Sequence, residues 1–304
     1  MNIFIFEYFC GGGDIGGIAN EAMMAEGRAM LNSALADFSM IDGAEAYFNN
    51  DFEAGLKSCQ SALVIAPETG GILQRLTGIV CDSGKENMGA APSAIEITGD
   101  KLLFAKLMEK EGIAHPRTCF IDGQFEQSKE FGGKWISKPQ RGAGAVGIVL
   151  WNERSVFDCK SANGKNIAQE FIEGDPMSLS IVSSGSESLI LSVNKQYFTP
   201  GLKYIGGEIT DNKPSDDMQT LVNQIKGAIP GLNGYWGIDY VESRSGPVVI
   251  EVNPRFTSSY WALSKALDSN PAEMIVAAYK NEKLYRDLDR RAKKFSVIGE
   301  LSLA

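Results

Sequence analysis

Short segments that are rich in apolar residues, some of them alternating with polar ones, recur along the first third of the chain and predict β-strands. A glycine-rich stretch follows the first of them, and residues 18–37 then carry apolar positions at helical spacing. The strands are predicted at residues 2–9, 44–48, 61–66 and 78–81. Strands that alternate with helical segments are typical of a parallel α/β layer, here over residues 1–92.

The rest of the chain mixes strands and helices in a different order. A Pro-Ser turn precedes a predicted helix at about 99–111, which Gly112 stops. Two segments flank the polar turn SSGSES and are predicted to pair as antiparallel strands. The remaining predicted strands are at residues 116–121, 134–138, 147–151, 166–172, 177–182, 188–196, 234–242 and 246–253, and the remaining helices at about 153–159, 215–229 and 258–280. The fold class is therefore predicted to be α/β.

Length and composition indicate a globular enzyme of two or three packed units. The chain has 304 residues, of which 44% are hydrophobic and 22% are charged. No segment approaches the roughly 20 unbroken apolar residues of a membrane helix, and the N-terminus lacks the pattern of a signal peptide. The net charge of −9 disfavours binding to a nucleic-acid backbone, which depends on Lys and Arg. We therefore expect neither a membrane nor a nucleic-acid partner.

Cysteine and histidine usage narrows the possible chemistry. The five cysteines are scattered and none forms a CxxC pair, so a reducing cytoplasm is expected rather than a disulfide framework. The single histidine, His115, precedes Pro116, and a structural role is expected for it. One histidine argues against a His-rich zinc site and a Ser-His-Asp triad. The chemistry must then use carboxylates, cations and main-chain amides.

The strongest chemical signal lies in two consecutive predicted strands, GYWGIDYV and PVVIEVNPR. Glu251, Asn253 and Arg255 are spaced two apart, so in a strand they share one face. If the strands form a hairpin, Asp239 approaches the same face. Oxygen ligands of this kind suit magnesium together with substrate phosphates. A solvated strand face is the alternative, but the apolar neighbours of Glu251 favour a metal site, because an unpaired buried carboxylate is costly.

Three further segments are weaker signals when each is taken alone. In SKPQRGAGAVGI, Lys138 ends a strand and a flexible glycine loop follows, whose backbone N–H groups can approach phosphates. Lys101 lies in the predicted helix ITGDKLLFAKLM, where a solvent-exposed lysine is the alternative. The segment NIAQEFIEGDP offers main-chain groups and an apolar slot that would suit an adenine ring, or is only a crossover between domains.

In this order the segments resemble the ATP-grasp superfamily. The resemblance covers about residues 90–280 and includes the twelve-residue interval from Asp239 to Glu251. It implies a pre-ATP-grasp α/β domain at 1–92, a small lobe with the glycine loop at 93–172 and a C-terminal lobe with the metal site at 173–304. It also implies an ATP-dependent ligase that joins a carboxylate to an amine through an acyl phosphate, and a homodimer is expected because many relatives are dimers.

The resemblance assigns roles to particular residues. Lys101 and Lys138 would contact the ATP phosphates, and Arg255, with Lys138, would act on the phosphoryl group. Where many relatives have a ribose-binding acid this chain has Pro176, so the neighbouring Asp175 is the candidate. The other candidates are Arg141, Gly142 and Gly144 in the closing loop, Gln169, Glu170, Phe171 and Ile172 beside the adenine, and Asp239, Glu251 and Asn253 as ligands of Mg²⁺ or Mn²⁺.

Four other segments, FIFEYFCGGG, EGRAML, VIAPETGGIL and SVNKQ, resemble the tyramine–glutamate ligase group of methanofuran biosynthesis. This closer resemblance implies an amino acid such as glutamate as the carboxylate substrate and tyramine as the amine. The candidate substrate contacts, chosen because they lie near the motifs and carry polar or aromatic groups, are Lys195, Tyr197, Tyr204, Trp236, Ser258, Ser259 and Tyr260.

Three other functions are alternatives to the ligase. Gly11, Gly13 and Gly16 match GxGxxG of dinucleotide-binding oxidoreductases, but no acidic residue ends a clear second strand about twenty residues later. A biotin-dependent carboxylase would carry a further C-terminal region. A regulatory ATP-binding protein without catalysis has less need of a full set of metal ligands.

Overall fold

The protein is described by a computed structural model over residues 1–15, 21–122, 133–142, 147–152, 166–284 and 288–296, with the backbone of residues 302–303. The predicted helix at 153–159, Gly16, Gly144 and Cys159 lie outside these residues. The described part contains three β-sheets and the helices that cover them. Cys10, Cys59 and Cys81 are free thiols. No helix in the described ranges is long and apolar enough to cross a membrane.

The N-terminal sheet is parallel, as the alternation of strands and helices predicts. Its strand order is β2-β1-β3-β4. Its elements are β1 (Asn2–Glu7), α1 (Glu21–Ser39), β2 (Glu45–Tyr47), α2 (Phe52–Ser58), β3 (Ser61–Ile65), a 3₁₀ turn (Thr69–Gly71), α3 (Ile72–Asp82) and β4 (Glu86–Asn87). The predicted strand at 78–81 is wrong, because those residues lie in α3. The buried residues of α3, among them Leu73, Leu76 and Val80, recur at helical spacing.

The second sheet is small and antiparallel, with the order β5-β8-β6-β7. Its strands are β5 (Thr118–Phe120), β6 (Trp135–Pro139), β7 (Val149–Trp151) and β8 (Asn166–Glu170), and α4 (Pro92–Gly99) and α5 (Lys101–Lys110) precede them. The predicted Pro-Ser turn is the first turn of α4, where Pro92 needs no N–H partner. Asp100 separates α4 from α5 and caps α5.

The third sheet has seven strands in the order β13-β12-β9-β10-β11-β14-β15. Its elements are β9 (Asp175–Ser183), β10 (Ser188–Phe198), β11 (Tyr204–Ile209), α6 (Asp216–Ala228), β12 (Gly234–Ser243), β13 (Gly246–Asn253), α7 (Tyr260–Ala266), α8 (Pro271–Tyr279), β14 (Lys293–Ser296) and β15 (Ser302–Leu303). The single helix predicted at 258–280 is wrong. The chain is extended at Leu267, and α8 begins with Asn270 as its cap and Pro271 as its first residue.

The N-terminal sheet and the seven-stranded sheet share their hydrophobic core. One cluster contains Phe4 of β1 and Leu73 of α3, which covers the N-terminal sheet, together with Trp236 of β12 and Val252 of β13. The small sheet has a separate, smaller cluster around Trp135. Since shared apolar burial is the main stabilising contribution, the N-terminal and C-terminal parts pack as one body against which the small sheet lies.

The glycine loop after β1 packs on the strand that precedes it. A Cβ atom on Gly11 would lie 2.4 Å from the Phe6 ring, and one on Gly13 would lie 2.5 Å from the Tyr8 ring. Gly12 has a φ of +83°, which favours glycine. The described glycines of this loop therefore close a turn over aromatic rings, and none of them lines the cavity described below.

A substitution at Gly27 of α1 can test how closely this helix packs on the N-terminal sheet. A Cβ atom there would lie 2.6 Å from the carboxyl of buried Glu7. Because Glu7 must then shift, we expect Gly27→Ala to destabilise the fold by about 1–3 kcal/mol in chemical denaturation.

The matched control for this substitution is Gly78→Ala, in the interior of α3. No atom lies within 4 Å of the Cβ position of Gly78, so alanine should stabilise the helix by about 0.5–1 kcal/mol. Equal effects of the two substitutions would show that α1 does not pack as closely as the structure indicates.

Candidate active site

The pairing of β12 with β13 brings two carboxylates together. Asp239 lies directly opposite Glu251, and Asn253 lies two pairs further along, opposite Gly237. The Asn253 amide donates a hydrogen bond to Asp239 Oδ2 at 3.0 Å. Gln196 of β10 donates to Asp239 Oδ1 at 2.9 Å. The predicted common face of Asp239, Glu251 and Asn253 is therefore present, and a neighbouring strand completes it.

Three cations approach this carboxylate pair from different elements. Lys101 begins α5, and its Nζ lies 3.9 Å from Glu251 Oε2 and donates to the Gly142 carbonyl at 2.6 Å. Lys138 lies on β6 with only 3% of its surface exposed. Arg255 follows β13 and is mostly buried. Each carries a positive charge close enough to Glu251 to lower the pKa of its carboxyl.

The electrostatics of these groups are strongly perturbed. Burial and the Glu251 charge raise the pKa of the Asp239 carboxyl. Burial would also raise the pKa of Glu251, but Lys101, Lys138 and Arg255 hold it below its ordinary value. Burial lowers the pKa of the Lys138 ammonium to about 8, although the neighbouring carboxylates oppose this effect. Such perturbation is typical of a functional site in a cleft.

Asp100 explains why Lys101 reaches the carboxylates. Its Oδ1 accepts the backbone N–H groups of Leu102 and Leu103, both at 3.1 Å, which caps α5. The same carboxylate accepts Gln140 Nε2 at 2.9 Å and pairs with Arg141 at 3.0 Å. One buried acid thus joins the start of α5 to the end of β6, from which Lys138 points into the site.

Arg255 is held by an acid from the N-terminal sheet. Its Nε donates to Glu68 Oε1 and Oε2 at 3.1 and 3.0 Å, and its Nη2 lies 3.0 Å from Glu68 Oε2. Its Nη1 donates to the Phe256 carbonyl at 3.0 Å. These contacts are bidentate and largely buried, so they orient the guanidinium as well as neutralise it. Glu68 lies in the segment PETGG just before α3.

A cavity of about 720 Å³ runs past the carboxylate pair. At one end it is an apolar slot lined by Ile136, Phe171, Ile172, Tyr240 and Ile250. At the other end, called the far end below, it is lined by Ala22, Met23, Glu26, Phe198, Leu202, Lys203, Tyr204, Thr257, Ser258 and Ser259. The carboxylates and cations lie between the two, so the cavity joins an apolar slot to a polar compartment through a charged centre.

Most of the predicted site residues line this cavity, namely Lys101, Lys138, Gly142, Gln169, Glu170, Phe171, Ile172, Asp239, Glu251, Asn253 and Arg255. Two others are not among the lining residues. Arg141 pairs with Asp100, and Asp175 is exposed at the start of β9. The Glu170 carboxylate pairs with Arg117 at 3.2 Å. The role of Gly144 stays a prediction, since that residue is not described.

Only some of the predicted substrate contacts reach the cavity. Tyr204, Ser258 and Ser259 line it. Lys195 and Tyr197 are exposed, because strand alternation sends Gln196 and Phe198 to the cavity instead. Trp236 and Tyr260 are fully buried. The Trp236 indole donates to Ser183 Oγ at 2.8 Å, and the Tyr260 ring stacks on Phe256. The predictions for these four residues are wrong.

Three residues of the site were not singled out from the sequence. Gln196 and Glu68 belong to the segments SVNKQ and PETGG, whose only signal was a resemblance to relatives. Glu26 belongs to EGRAML and lies on α1, where its acidic side chain has the spacing of an ordinary exposed position. The sequence around such an acid cannot predict its role, because the acid reaches the site only when an element distant in sequence packs beside it.

Comparison with known proteins agrees with this geometry. The ATP-grasp domain family matches residues 98–259, and the pre ATP-grasp 3 domain matches residues 23–95. The chain belongs to the ATP-grasp family. This confirms the resemblance that the order of motifs predicts, and it confirms the predicted fold class.

Individual ATP-grasp proteins resemble the chain over most of its length. It is 29% identical to a tyramine–L-glutamate ligase of Methanocaldococcus jannaschii over 98% of this chain and 92% of that protein. The structure of a putative ATP-grasp superfamily protein from Archaeoglobus fulgidus matches with a TM-score of 0.73 at 25% identity, covering 100% of this chain and 98% of that one. N5-carboxyaminoimidazole synthetase from Staphylococcus aureus matches with a TM-score of 0.69 at 13% identity, over 97% and 81%, and shares the fold.

The donor set at the β12–β13 hairpin fits a divalent cation. Asp239 and Glu251 offer carboxylates and Asn253 an amide oxygen, and Mg²⁺ commonly takes one or two carboxylates together with substrate phosphates. Within the described ranges, no three His, Cys, Asp or Glu side chains cluster as a metal site. A cation held here would therefore complete its coordination with phosphate oxygens or water, which is the arrangement of an ATP-grasp site.

The Glu68–Arg255 pair generates a prediction about stability. Glu68→Gln removes the charge that compensates a buried guanidinium, and breaking such a pair costs about 2–5 kcal/mol. We expect a loss of this size in the free energy of unfolding, measured by chemical denaturation.

The control is Glu173→Gln, which breaks an ion pair of 2.8 Å with Lys134 in which both side chains are exposed. It should change the free energy of unfolding far less than Glu68→Gln does, because solvent screens an exposed pair. A loss for Glu68→Gln no greater than for Glu173→Gln would contradict a buried role for the pair.

Proposed function

We propose that this ATP-grasp ligase joins the carboxylate of a small substrate to an amine through an acyl phosphate, releasing ADP and phosphate. The observation that carries the proposal is the position of the charged centre. The carboxylate pair and its three cations separate an apolar slot from a polar compartment in one continuous cavity. A nucleotide in the slot would present its γ-phosphate to a substrate in the far end.

The apolar slot is the proposed adenine site. Ile136 and Tyr240 form its walls, and the segment from Gln169 to Ile172 forms its edge. Flat apolar surfaces with main-chain groups at the rim suit a purine ring. From this slot the phosphates would extend towards Lys101 and Lys138, whose charges compensate them. Gly142, whose carbonyl accepts Lys101 Nζ, begins the loop proposed to cover the phosphates.

Asp239, Glu251 and Asn253 are the proposed ligands of Mg²⁺. When bound, the ion would neutralise phosphate charge and polarise the γ-phosphoryl group. Lys138 is buried beside Glu251 and would hold a phosphate oxygen in a site with little water, where its charge acts strongly. Arg255, fixed by Glu68, would present its remaining N–H donors to the transferred phosphoryl group. Phosphoryl transfer depends mainly on such positioning and charge compensation.

The reaction would proceed in two steps. A carboxylate oxygen of the first substrate attacks the γ-phosphorus, the bond to ADP breaks, and an acyl phosphate forms. The amine, once deprotonated to its neutral form, then attacks the acyl carbon through its nitrogen, phosphate leaves with the bonding electrons, and the proton that the nitrogen loses passes to the leaving phosphate or to solvent. The enclosed cavity would protect the acyl phosphate from water. No nucleophilic side chain is needed, which agrees with the single histidine of the chain.

The proposed substrates follow from the relatives that cover almost the whole chain. Two proteins at 27–29% identity are named tyramine–L-glutamate ligases. We infer that the carboxylate comes from an amino acid, with glutamate as the first candidate, and that the amine is tyramine or a related aromatic amine. The far end has the mixed polar and aromatic lining that such an amine requires, and the reaction would belong to methanofuran biosynthesis.

Substitution of a proposed metal ligand tests the site without turnover. Glu251→Gln should weaken ATP binding in the presence of Mg²⁺ by at least about tenfold. Without metal it should leave ATP binding unchanged or tighten it, since a negative charge near the phosphates is removed. Calorimetric titrations with Mg²⁺ and with a chelator measure both affinities.

Glu242→Gln provides the matched control, since Glu242 is an exposed acid of the same hairpin. It should preserve the ratio of the two affinities. If Glu251→Gln keeps the wild-type metal dependence of ATP binding, Glu251 is not a ligand.

The overall reaction is tested by ADP release with ATP, Mg²⁺, glutamate and tyramine, and with each substrate alone. We expect release only with both substrates, together with a product of the condensed mass, because an acyl phosphate is consumed by the amine. ADP release by the Glu251→Gln variant serves as the control, because it measures the activity of any contaminating ATPase. Release that depends on bicarbonate would indicate a carboxylase. Tight ATP binding without release across a panel of acids and amines would indicate a regulatory protein.

A further inference from the structure

The far end of the cavity contains one acid that the reaction above does not use. Glu26 lies on α1 and lines the cavity, although α1 belongs to the N-terminal sheet. Ser258 donates a hydrogen bond to Glu26 Oε1. Among the described residues Glu26 has no Lys or Arg as an ion-pair partner. It is thus a carboxylate that faces a ligand cavity with a hydroxyl as its hydrogen-bond partner and, among the described residues, without an ion pair.

Two cations share this part of the molecule, Arg255, whose guanidinium interacts with the Glu26 charge, and Lys203, an exposed residue that lines the same cavity, but neither forms an ion pair with Glu26 among the described contacts. Tyr204 of β11 hydrogen-bonds with Ser258, and burial together with the charge of Glu26 raises its pKa well above the ordinary value, so it remains a neutral phenol. Arg255 carries the nearest buried positive charge of the centre, but Glu68 already binds it in a bidentate pair. The Ser258 hydroxyl therefore orients the Glu26 carboxylate, which is available to a cation from the cavity.

The walls beside Glu26 are aromatic and apolar. The Phe198 and Tyr204 rings lie with their centroids 5.5 Å apart, and both line the cavity. Met23 of α1 and Leu202 of the β10–β11 turn line the same end. Aromatic faces attract cations and also bury apolar surface. A ligand that fits this end has a positive head group and an apolar or aromatic body.

We infer that Glu26 binds the ammonium group of the amine substrate and selects primary amines with an apolar or aromatic body. This rests on the proposed ligase function and extends it to the second substrate. Because α1 supplies Glu26 while β11 and the segment after β13 supply Tyr204 and Ser258, the subsite exists only where the N-terminal sheet packs on the seven-stranded sheet. The charges of Glu26 and of Glu251 both act on Arg255, so the two substrates would meet near its guanidinium.

Binding of two matched compounds tests Glu26 without turnover. Tyramine carries an ammonium, whereas 2-(4-hydroxyphenyl)ethanol has the same body with a neutral hydroxyl. Wild-type protein, with a non-hydrolysable ATP analogue and Mg²⁺, should bind tyramine about 10- to 100-fold more tightly than the alcohol, as one charge-assisted contact predicts. Glu26→Gln should bring this ratio close to one while leaving the affinity for the alcohol nearly unchanged.

Kinetics then shows which substrate Glu26 holds. Glu26→Gln should raise KM for the amine by about 10- to 100-fold and leave KM for ATP and for the carboxylate substrate unchanged. Glu21→Gln removes the same charge from an exposed position of the same helix and should leave all three values at wild type. Thermal unfolding of both variants monitors the fold.

Three results would overturn the inference. They are equal binding of tyramine and the alcohol by the wild type, an unchanged ratio in Glu26→Gln, and a rise in KM for the amino acid instead of the amine. Failure of the proposed function has a different signature, because no acid–amine pair would then release ADP while the binding ratio could still be measured.

Discussion

Two carboxylates that face each other across paired strands inside a protein need compensating charge, and this requirement organises the molecule. Asp239 and Glu251 are directly opposed in the β12–β13 register. Mutual repulsion and burial would keep both protonated if they were alone. Lys101, Lys138 and Arg255 supply the compensation, and they come from a helix start, a strand of the small sheet and the end of β13. The cleft between the sheets is therefore also an electrostatic centre, suited to a polyanion with its own metal ion.

Acids that lie outside the β12–β13 hairpin position these cations. Asp100 caps α5 and also binds Gln140 and Arg141, which joins Lys101 to the end of the strand that carries Lys138. Glu68 binds Arg255 from the N-terminal sheet. The N-terminal α/β part thus contributes Glu68 and Glu26 to the site. The hydrophobic core that it shares with the seven-stranded sheet sets the distance from these acids to the reacting groups. In this family member, the domain that precedes the ATP-grasp core is part of the proposed substrate site.

Errors in the predicted elements have identifiable causes. Residues 78–81 form a short apolar run, which cannot be assigned to a strand or a buried helix by periodicity alone, and they lie in α3. The segment 258–280 has apolar residues on both sides of the polar stretch 268–270, and the prediction continued one helix through that stretch although Pro271 follows it. Strands β11 and β14 were missed because their short sequences, YIGGEI and KKFS, contain few alternating apolar residues and so have weak patterns. Lys195 and Tyr197 were misplaced by one position, and a shift of one residue in a strand reverses the face.

The amino-acid sequence by itself determined the donor set of the centre. Glu251, Asn253 and Arg255 alternate in an apolar strand, so they share a face in any fold that keeps that strand, and the order of Lys101, Lys138 and Asp239 along the chain identified the family. Only the tertiary structure decided which acids meet these groups. Glu68 is 187 residues from Arg255, and Glu26 is 232 residues from Ser258. Periodicity reports which face of its own element a residue occupies, whereas contact between elements so far apart depends on how two sheets pack on a common core.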